Sequence, residues 1–489
     1  MLNVLTKLSS RRGQKKAAWR LQCPLIALCA MVFVAACASD DDNQLATARF
    51  TAGQQNTGGL PLGDREGAGT FVGAIVADEP RAALAARSVL ESGGTAVDAI
   101  TALYFNLAVT MPHEAGLGGG GMCLVHDPVA RRVTSYEFLA ERPRAGGPVA
   151  IPGNVRGFAL IHAVHGRLPW STLVAPAEIL AVQGHELSRA TARELAELAP
   201  AFQATQDLGA AYLGRNQEVL REGALLVQAG LAASLGKIRA NGPRGFYGGA
   251  IAEAITLEAA EAGSPITLEE MRAFRPTASP PQTISIGSQT LSIPPQSTGA
   301  GTYMGSLWPS VQGQTGSALL EAARAALVRA GAETDLPTVF GSTAFVVATA
   351  GGDAAACAVT MNGPFGTGRL VPGTGIVLAR SPGTPGFGLA SAFLAPAMVT
   401  NDFNGTFFFA GAGSGGPRAP VSILSMVDGV MSRSRPLEAA NAAAVTDAHN
   451  LVNVIACPDG APQAEASCGF SADPNGAGVG VVGFPPAIQ

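Results

Sequence analysis

The hydrophobic pattern of the chain switches repeatedly between two periods. Phe71 to Ala77 is a short apolar run of strand length, and Asp78 follows as a helix N-cap with Pro80 in the first turn. That helix is expected to stop at Gly93-Gly94. Thr95 and Asp98 have the spacing of a capping box, and Ile100, Leu103, Tyr104 and Leu107 recur at helical intervals until Met111-Pro112. After Gly118 to Gly121 the pattern predicts a strand over Met122 to His126. A mainly helical stretch extends from Ile151 to about Arg275, with segments at Leu173 to Gln183 and at Thr191 to Ala199, the latter ended by Pro200. Thr343 to Thr349 and Ala355 to Met361 are strand-like runs flanking Gly351-Gly352, hence a hairpin. One further short strand is expected near Gly478 to Val482 in a Pro- and Gly-rich tail.

Composition narrows the possibilities. With 47% hydrophobic and 14% charged residues, the bulk of the 489-residue chain can bury a large core and is not disordered. Gly and Pro, 61 and 33 in number, follow no fixed period, which excludes a collagen-like repeat. Aromatics at 6% and the absence of a basic excess argue against nucleic acid as a partner.

The net charge of -4 conceals a basic beginning. Residues 1–36 carry Lys7, Arg11, Arg12, Lys15, Lys16 and Arg20 and no acid, leaving 26 basic and 36 acidic residues in the remainder. The apolar run Leu25 to Ala36 is short for a membrane span and fits the core of an export signal. Val34-Ala35-Ala36-Cys37 resembles the lipobox of bacterial lipoproteins, which implies lipidation at Cys37. Ala38 after the cysteine implies the periplasmic side of the outer membrane, with the lipid as the membrane contact. Residues 1–36 are thus expected to be a signal peptide, residues 37–70 a polar tether and residues 71–489 the folded body.

Cysteines and histidines show no metal spacing, and no metal or cofactor is expected. Cys457 and Cys468 flank a loop that a disulfide can close in an oxidising compartment, whereas Cys123 and Cys357 read as buried small hydrophobes. His162 and His165 read as a solvated helix face. The four glycines lack the Gly-Lys-Ser/Thr of a phosphate loop and read as a site of close backbone packing, and no Gly-x-Ser-x-Gly elbow occurs.

Several ordered segments together resemble the gamma-glutamyltranspeptidase family: Ser92 to Ala99, Pro112-His113 through Gly121, Ile151-Pro152-Gly153, Gly166 to Trp170 and Leu268 to Met271. The resemblance continues through Pro294 to Gly299, Phe365 to Gly368, Pro372 to Ile376, Gly415 to Arg418 and Ala472-Asp473-Pro474. It implies an α+β chain with the four-layer αββα sandwich of N-terminal nucleophile hydrolases, self-cleaved into a large part (71–341) and a small part (342–489). By the same resemblance Ser342, where the family has threonine, is the nucleophile, freed by scission of the Gly341-Ser342 bond. Its new α-amine, with an ordinary pKa of about 7.7 to 8.0, is the general base. Thr360 and Asn362 match residues that flank the nucleophile and contact substrate, Thr343 is likewise expected to contact substrate, and Gly415 and Gly416 match a backbone oxyanion hole. If Ala350-Gly351-Gly352 forms a three-residue loop, the hairpin register puts Ser342 and Thr360 on one face; a two-residue turn puts them on opposite faces.

Departures from the family pattern gather where substrate charge is recognised. Leu139 stands in place of the carboxylate-binding arginine, Ala392 and Phe393 in place of paired serines, and no acid follows Gly375-Ile376-Val377-Leu378. Arg142, Arg144 and Arg380 are the cations considered as substitutes. The segment between Gly301 and Ser342 is short for the family. The expected function is transfer or hydrolysis of gamma-glutamyl, glutathione-like or related acyl amides. The alternative, favoured by Leu139, Ala344, Ala392 and Phe393, is a catalytically inactive binding or scaffold lipoprotein.

Overall fold

The computed structural model describes residues 71–204, 206–214, 218–329, 339–384, 389–462 and 468–484. The expected signal peptide, the tether and Cys37 lie outside the described residues.

In chain order the first strands are β1 (Gly73–Ala77), β2 (Gly120–Asp127), β3 (Arg132–Phe138), β4 (Thr277–Ser279), β5 (Gln282–Ile286) and β6 (Gln289–Ile293). The hairpin β7 (Ser342–Thr349) and β8 (Ala354–Thr360) follows, then β9 (Ala395–Asn401), β10 (Thr406–Ser414), β11 (Leu451–Ala461), β12 (Gly469–Ser471) and β13 (Val479–Gly483). Two antiparallel sheets result, ordered β13-β1-β7-β8-β2-β3-β4 and β12-β11-β10-β9-β6-β5. The central strands β1, β7 and β8 are apolar on both faces because each face is covered.

Alternation along the strands separates three apolar layers. Ile75, Cys123, Phe345, Val347 and Cys357 face an outer layer that includes α1 (Pro80–Glu91), α2 (Ala96–Thr110), α3 (Asn154–His165) and α4 (Trp170–Gln183). Ala74, Met122, Ala344, Val346, Ala356, Ala410 and Ala412 face inward between the sheets, and their small size lets the sheets pack closely. On the far side of the second sheet, Leu291, Ala397, Phe409 and Val454 pack against α8 (Gly299–Val311), α9 (Ser317–Arg329) and α10 (Arg418–Val427). Helices α5 (Arg189–Glu197), α6 (Ala229–Asn241) and α7 (Gly249–Glu261) belong to the helical stretch anticipated between Ile151 and Arg275. The architecture is α+β, an αββα sandwich.

Local chemistry departs from expectation at four places. The N-cap of α1 is Glu79, whose carboxylate accepts the Ala82 N–H at 2.8 Å; Asp78 is turned elsewhere. Pro200 does not end the helix at 191–199; α5 ends at Glu197, and Pro200 opens a further short helix, Ala199–Ala204, as fits a residue that lacks an N–H. Cys123 and Cys357 are directly opposed on β2 and β8 and are joined as a disulfide, not buried as free thiols; Cys457 and Cys468 form a second. His162 and His165 are half-buried, bonded to Leu168 O at 2.9 Å and to the Tyr136 hydroxyl at 2.7 Å, so theirs is not a solvated face. The glycine run packs backbone on backbone. A Cβ on Gly118 would lie 2.1 Å from Val377 O, and one on Gly120 would lie 2.0 Å from Ala140 N.

Candidate active site

Ser342 is the first residue of β7, and the alternation that sends Thr343 and Phe345 toward the helices sends Ser342 toward the second sheet. The hairpin closes through Ala350-Gly351-Gly352. Thr349 N–H donates to Asp353 O at 2.9 Å, and the Thr349 hydroxyl is bonded to the Asp353 carboxylate. This is the three-residue loop, and it puts Thr360 directly opposite Ser342. Both hydroxyls therefore face the gap between the sheets.

The second sheet supplies the partner. β10 ends at Ser414, and Gly415, at φ +108°, donates its N–H to Ser342 Oγ at 2.7 Å. Only glycine fits there, since a Cβ would lie 1.5 Å from His449 O. Gly415 O in turn accepts from Phe340 N at 3.0 Å, so one residue holds the chain on both sides of Gly341-Ser342. Gly416 follows at the entry to α10, where the helix N-terminus favours negative charge.

The carbonyl preceding Ser342 is held equally firmly. Gly341 O accepts from the Thr360 hydroxyl at 3.0 Å and from Met361 N–H at 2.9 Å. The Thr360 hydroxyl also reaches Phe340 O at 3.3 Å and accepts the Asn362 N–H at 2.8 Å. Asn362, at φ +53°, donates its side-chain amide to Arg380 O at 2.9 Å, fixing the turn that carries Thr360. Phe393 stacks edge-on against Phe340 with ring centroids 4.9 Å apart. The apolar residue at the position of a family serine thus braces the segment being held.

Beside Ser342 lies a small cavity whose charged and titratable lining is Asp78, His113, Glu114, Arg193, Glu194 and His449. Burial pushes all three acids above the ordinary carboxylate range, Glu194 to about 7 with help from Glu197; the Arg193 charge opposes each shift. Burial, followed by the Arg193 charge, lowers His113 to about 3, so its imidazole is neutral near pH 7. Asp78 accepts from the Thr343 hydroxyl at 2.7 Å, from Ala344 N–H at 3.3 Å and from Asn453 Nδ2 at 2.8 Å. Thr343 is fully buried, with its hydroxyl committed to that carboxylate; it supports the strand and does not line the cavity.

Ser342, Thr360, Asn362, Gly341 and Gly415 are therefore brought together. Leu139 packs half-buried against the layer between the sheets, and Ala392 and Phe393 sit in the 3-10 turn Ala390–Phe393. Arg142 and Arg144 are exposed, and Arg380 takes part through its backbone carbonyl. Two features carry no motif and escape sequence reading. One is Arg193 in the cavity beside Ser342. The other is a group at the α5 end, Glu194, Glu197 and His449, whose ligand-type atoms lie within 4.8 Å of one another.

A family model described as gamma-glutamyltranspeptidase matches residues 82–307. Over that stretch, a little under half of its length, the chain is similar to gamma-glutamyltranspeptidases. Among its relatives are the glutathione hydrolase proenzyme of Escherichia coli (strain K12), 33% identical over 232 residues, 43% of this chain and 40% of that protein, and glutathione hydrolase 2 of Arabidopsis thaliana, 29% identical over 250 residues, 48% and 43%. The matched region thus spans less than half the length of these relatives. A crystal structure of cephalosporin acylase from Bacillus halodurans superposes with a TM-score of 0.67 at 16% identity, covering 86% of this chain and 98% of that one. That likeness shows a shared fold, the αββα sandwich described above.

Proposed function

We propose that the chain is a self-processing acyl-amide hydrolase or transferase of the gamma-glutamyltranspeptidase family, with Ser342 as nucleophile. In the processing step Ser342 Oγ attacks the Gly341 carbonyl carbon, the Gly341–Ser342 C–N bond breaks, and the hydroxyl proton passes to the departing amine. Water then hydrolyses the resulting ester, leaving a Gly341 carboxylate and a free Ser342 α-amine. The observation that carries this reading is the double hold on the bond. Thr360 and Met361 donate to the carbonyl oxygen that becomes negative, while Gly415 N–H fixes the attacking oxygen.

In turnover the freed amine takes the hydroxyl proton as Ser342 attacks an acyl amide, and the amide nitrogen leaves protonated. Gly415 and Gly416 face the tetrahedral oxyanion from the entry to α10. The names of the relatives favour gamma-glutamyl amides such as glutathione as substrates and lend no support to an inactive scaffold. Hydrolysis of gamma-glutamyl-4-nitroanilide by the wild-type chain, abolished in Ser342→Ala, is the test; equal release by the variant removes Ser342 from the reaction. Export with a lipid on Cys37 belongs to the same proposal, supported by the basic and apolar leader pattern. Radiolabelled palmitate should enter the wild-type chain and not Cys37→Ala.

A further inference from the structure

We propose that the β2–β3 and β9–β10 turns form a membrane-contact surface, with Val129 and Phe403 dipping into a phospholipid bilayer and the Ser342 end of the sandwich pointing away from it. The inference rests on the reading of Cys37 as a lipid anchor and adds how the folded body lies on the bilayer.

Val129 and Phe403 are the two most exposed large apolar side chains among the described residues, at 91% and 88%. Each stands on a tight turn built by the same device. Asp127 Oδ1, at the end of β2, accepts the N–H groups of Val129 and Ala130, both at 2.9 Å. Asn401 Oδ1, at the end of β9, accepts those of Phe403 and Asn404 at 3.0 and 3.4 Å. Turns closed in this way need no apolar side chain at the tip, and at such exposure neither residue contributes to the core. The two turns come from different sheets and touch each other. Arg131 Nη1 donates to Phe403 O at 3.1 Å, and a Cβ on Gly405 would lie 2.7 Å from Pro128 O. Two exposed apolar tips thus stand side by side, which scattered surface residues do not explain.

The described body begins at the same end of the sandwich. Ala350, in the β7–β8 loop, donates its N–H to Val72 O at 3.1 Å, and Gly73, the first residue of β1, lies opposite Thr349. That loop adjoins the β2–β3 turn, since His126 Nδ1 is bonded to Gly352 O at 2.8 Å and Ala354 lies opposite His126. A chain anchored at Cys37 is therefore held from the end that carries both tips. Ser342 starts β7 at the other end, about 23 Å away along the eight-residue strand. The polar groups around the tips suit the headgroup layer. Arg131 and Arg132 are exposed there, where long cationic side chains reach lipid phosphates. The acids of this end are engaged in their own loops: Asp127 as above, Asp353 by the Ala96 N–H at 2.7 Å and Asp402 by the Thr400 hydroxyl at 2.8 Å. Two inserted side chains are too few to hold a protein alone, so the lipid supplies attachment and the tips set orientation.

The test is hydrogen exchange, read by mass spectrometry, of the full lipidated chain on vesicles of equal parts phosphatidylcholine and phosphatidylethanolamine, with Cys37→Ala in solution as reference. On the vesicles the amides of residues 128–131 and 402–405 should exchange about threefold or more slowly, and those of residues 191–198, beside the Ser342 cavity, should be unchanged. Joint replacement Val129→Ser and Phe403→Ser, at two exposed positions, should leave the fold intact and abolish that protection. Unchanged exchange at both tips, protection of residues 191–198 instead, or protection that survives the joint replacement overturns the proposal. If palmitate does not enter the chain, the anchor reading fails by itself. The chain is then held by a hexahistidine tag inserted after Ala38, on the same vesicles carrying a nickel-chelating lipid. Exchange with and without vesicles decides the contact surface by the same criteria.

Discussion

Replacing Thr360 by Val probes the grip on the scissile carbonyl. Valine keeps the β-branched shape that the strand accommodates and removes only the hydroxyl. Three contacts change: Gly341 O loses one of its two donors, Phe340 O loses the hydroxyl that reaches it, and Asn362 N–H loses its acceptor. Removing an oxyanion donor costs about 10²- to 10³-fold in rate where that donor is fully committed. The Thr360 hydroxyl is shared with Phe340 O, and Met361 N–H remains on Gly341 O. The expected slowing of self-cleavage is therefore about 10- to 100-fold, or about 1.4 to 2.7 kcal/mol of barrier. The orphaned Asn362 N–H costs about 1 to 3 kcal/mol of stability, but it is lost alike from ground and transition states. Thr360→Ser restores the hydroxyl and should restore the rate. Following conversion of freshly refolded chain into two fragments by intact mass measures all three. Cleavage of Thr360→Val within about threefold of wild type, or Thr360→Ser as slow as Thr360→Val, would refute the assigned role.

Other consequences are equally direct. Gly415→Ala puts a methyl into His449 O and an L-residue at φ +108°, beyond the 1–3 kcal/mol or so of ordinary overpacking, so unprocessed and poorly soluble protein is expected on denaturing gels; normal processing would contradict this. Oxidised chain should show Cys123–Cys357 and Cys457–Cys468 as linked peptides in non-reducing mass maps, with none of the four cysteines alkylated before reduction. Glu194, near 7 in the fold against an ordinary 4.5, retains a proton there that the unfolded chain has released. Stability should consequently fall as pH rises from about 4.5 to about 7, by at most about 3 kcal/mol. Glu194→Gln should remove that fall in denaturant midpoints measured near pH 5 and near pH 8, and an unchanged slope would assign it to other groups.

Sequence periodicity reaches the hairpin and its register because a loop length fixes which residues oppose one another, and Ser342 opposite Thr360 follows from that geometry. The packing role of Gly118 to Gly121 was legible for a similar reason, since the missing phosphate-loop lysine leaves only close approach as an explanation. Asp78 was misread because an acid before a proline fits an N-cap; the tertiary pull of Thr343 and Asn453, far along the chain, decides its orientation instead. Cys123 and Cys357 were missed because buried thiols and buried disulfides have the same apolar flanks, and only cross-strand pairing distinguishes them. Arg193 was invisible for want of any motif: an arginine on an amphipathic helix reads as solvent-facing until α5 is docked beside Ser342.

Self-cleavage at Gly341-Ser342 is the central claim, and N-terminal sequencing with intact masses of the purified chain, held near neutral pH, tests it most directly. The account predicts two fragments, the smaller beginning at Ser342, and a single intact species for Ser342→Ala. A wild-type chain that folds by circular dichroism yet stays intact, or is cut at another bond, would contradict it.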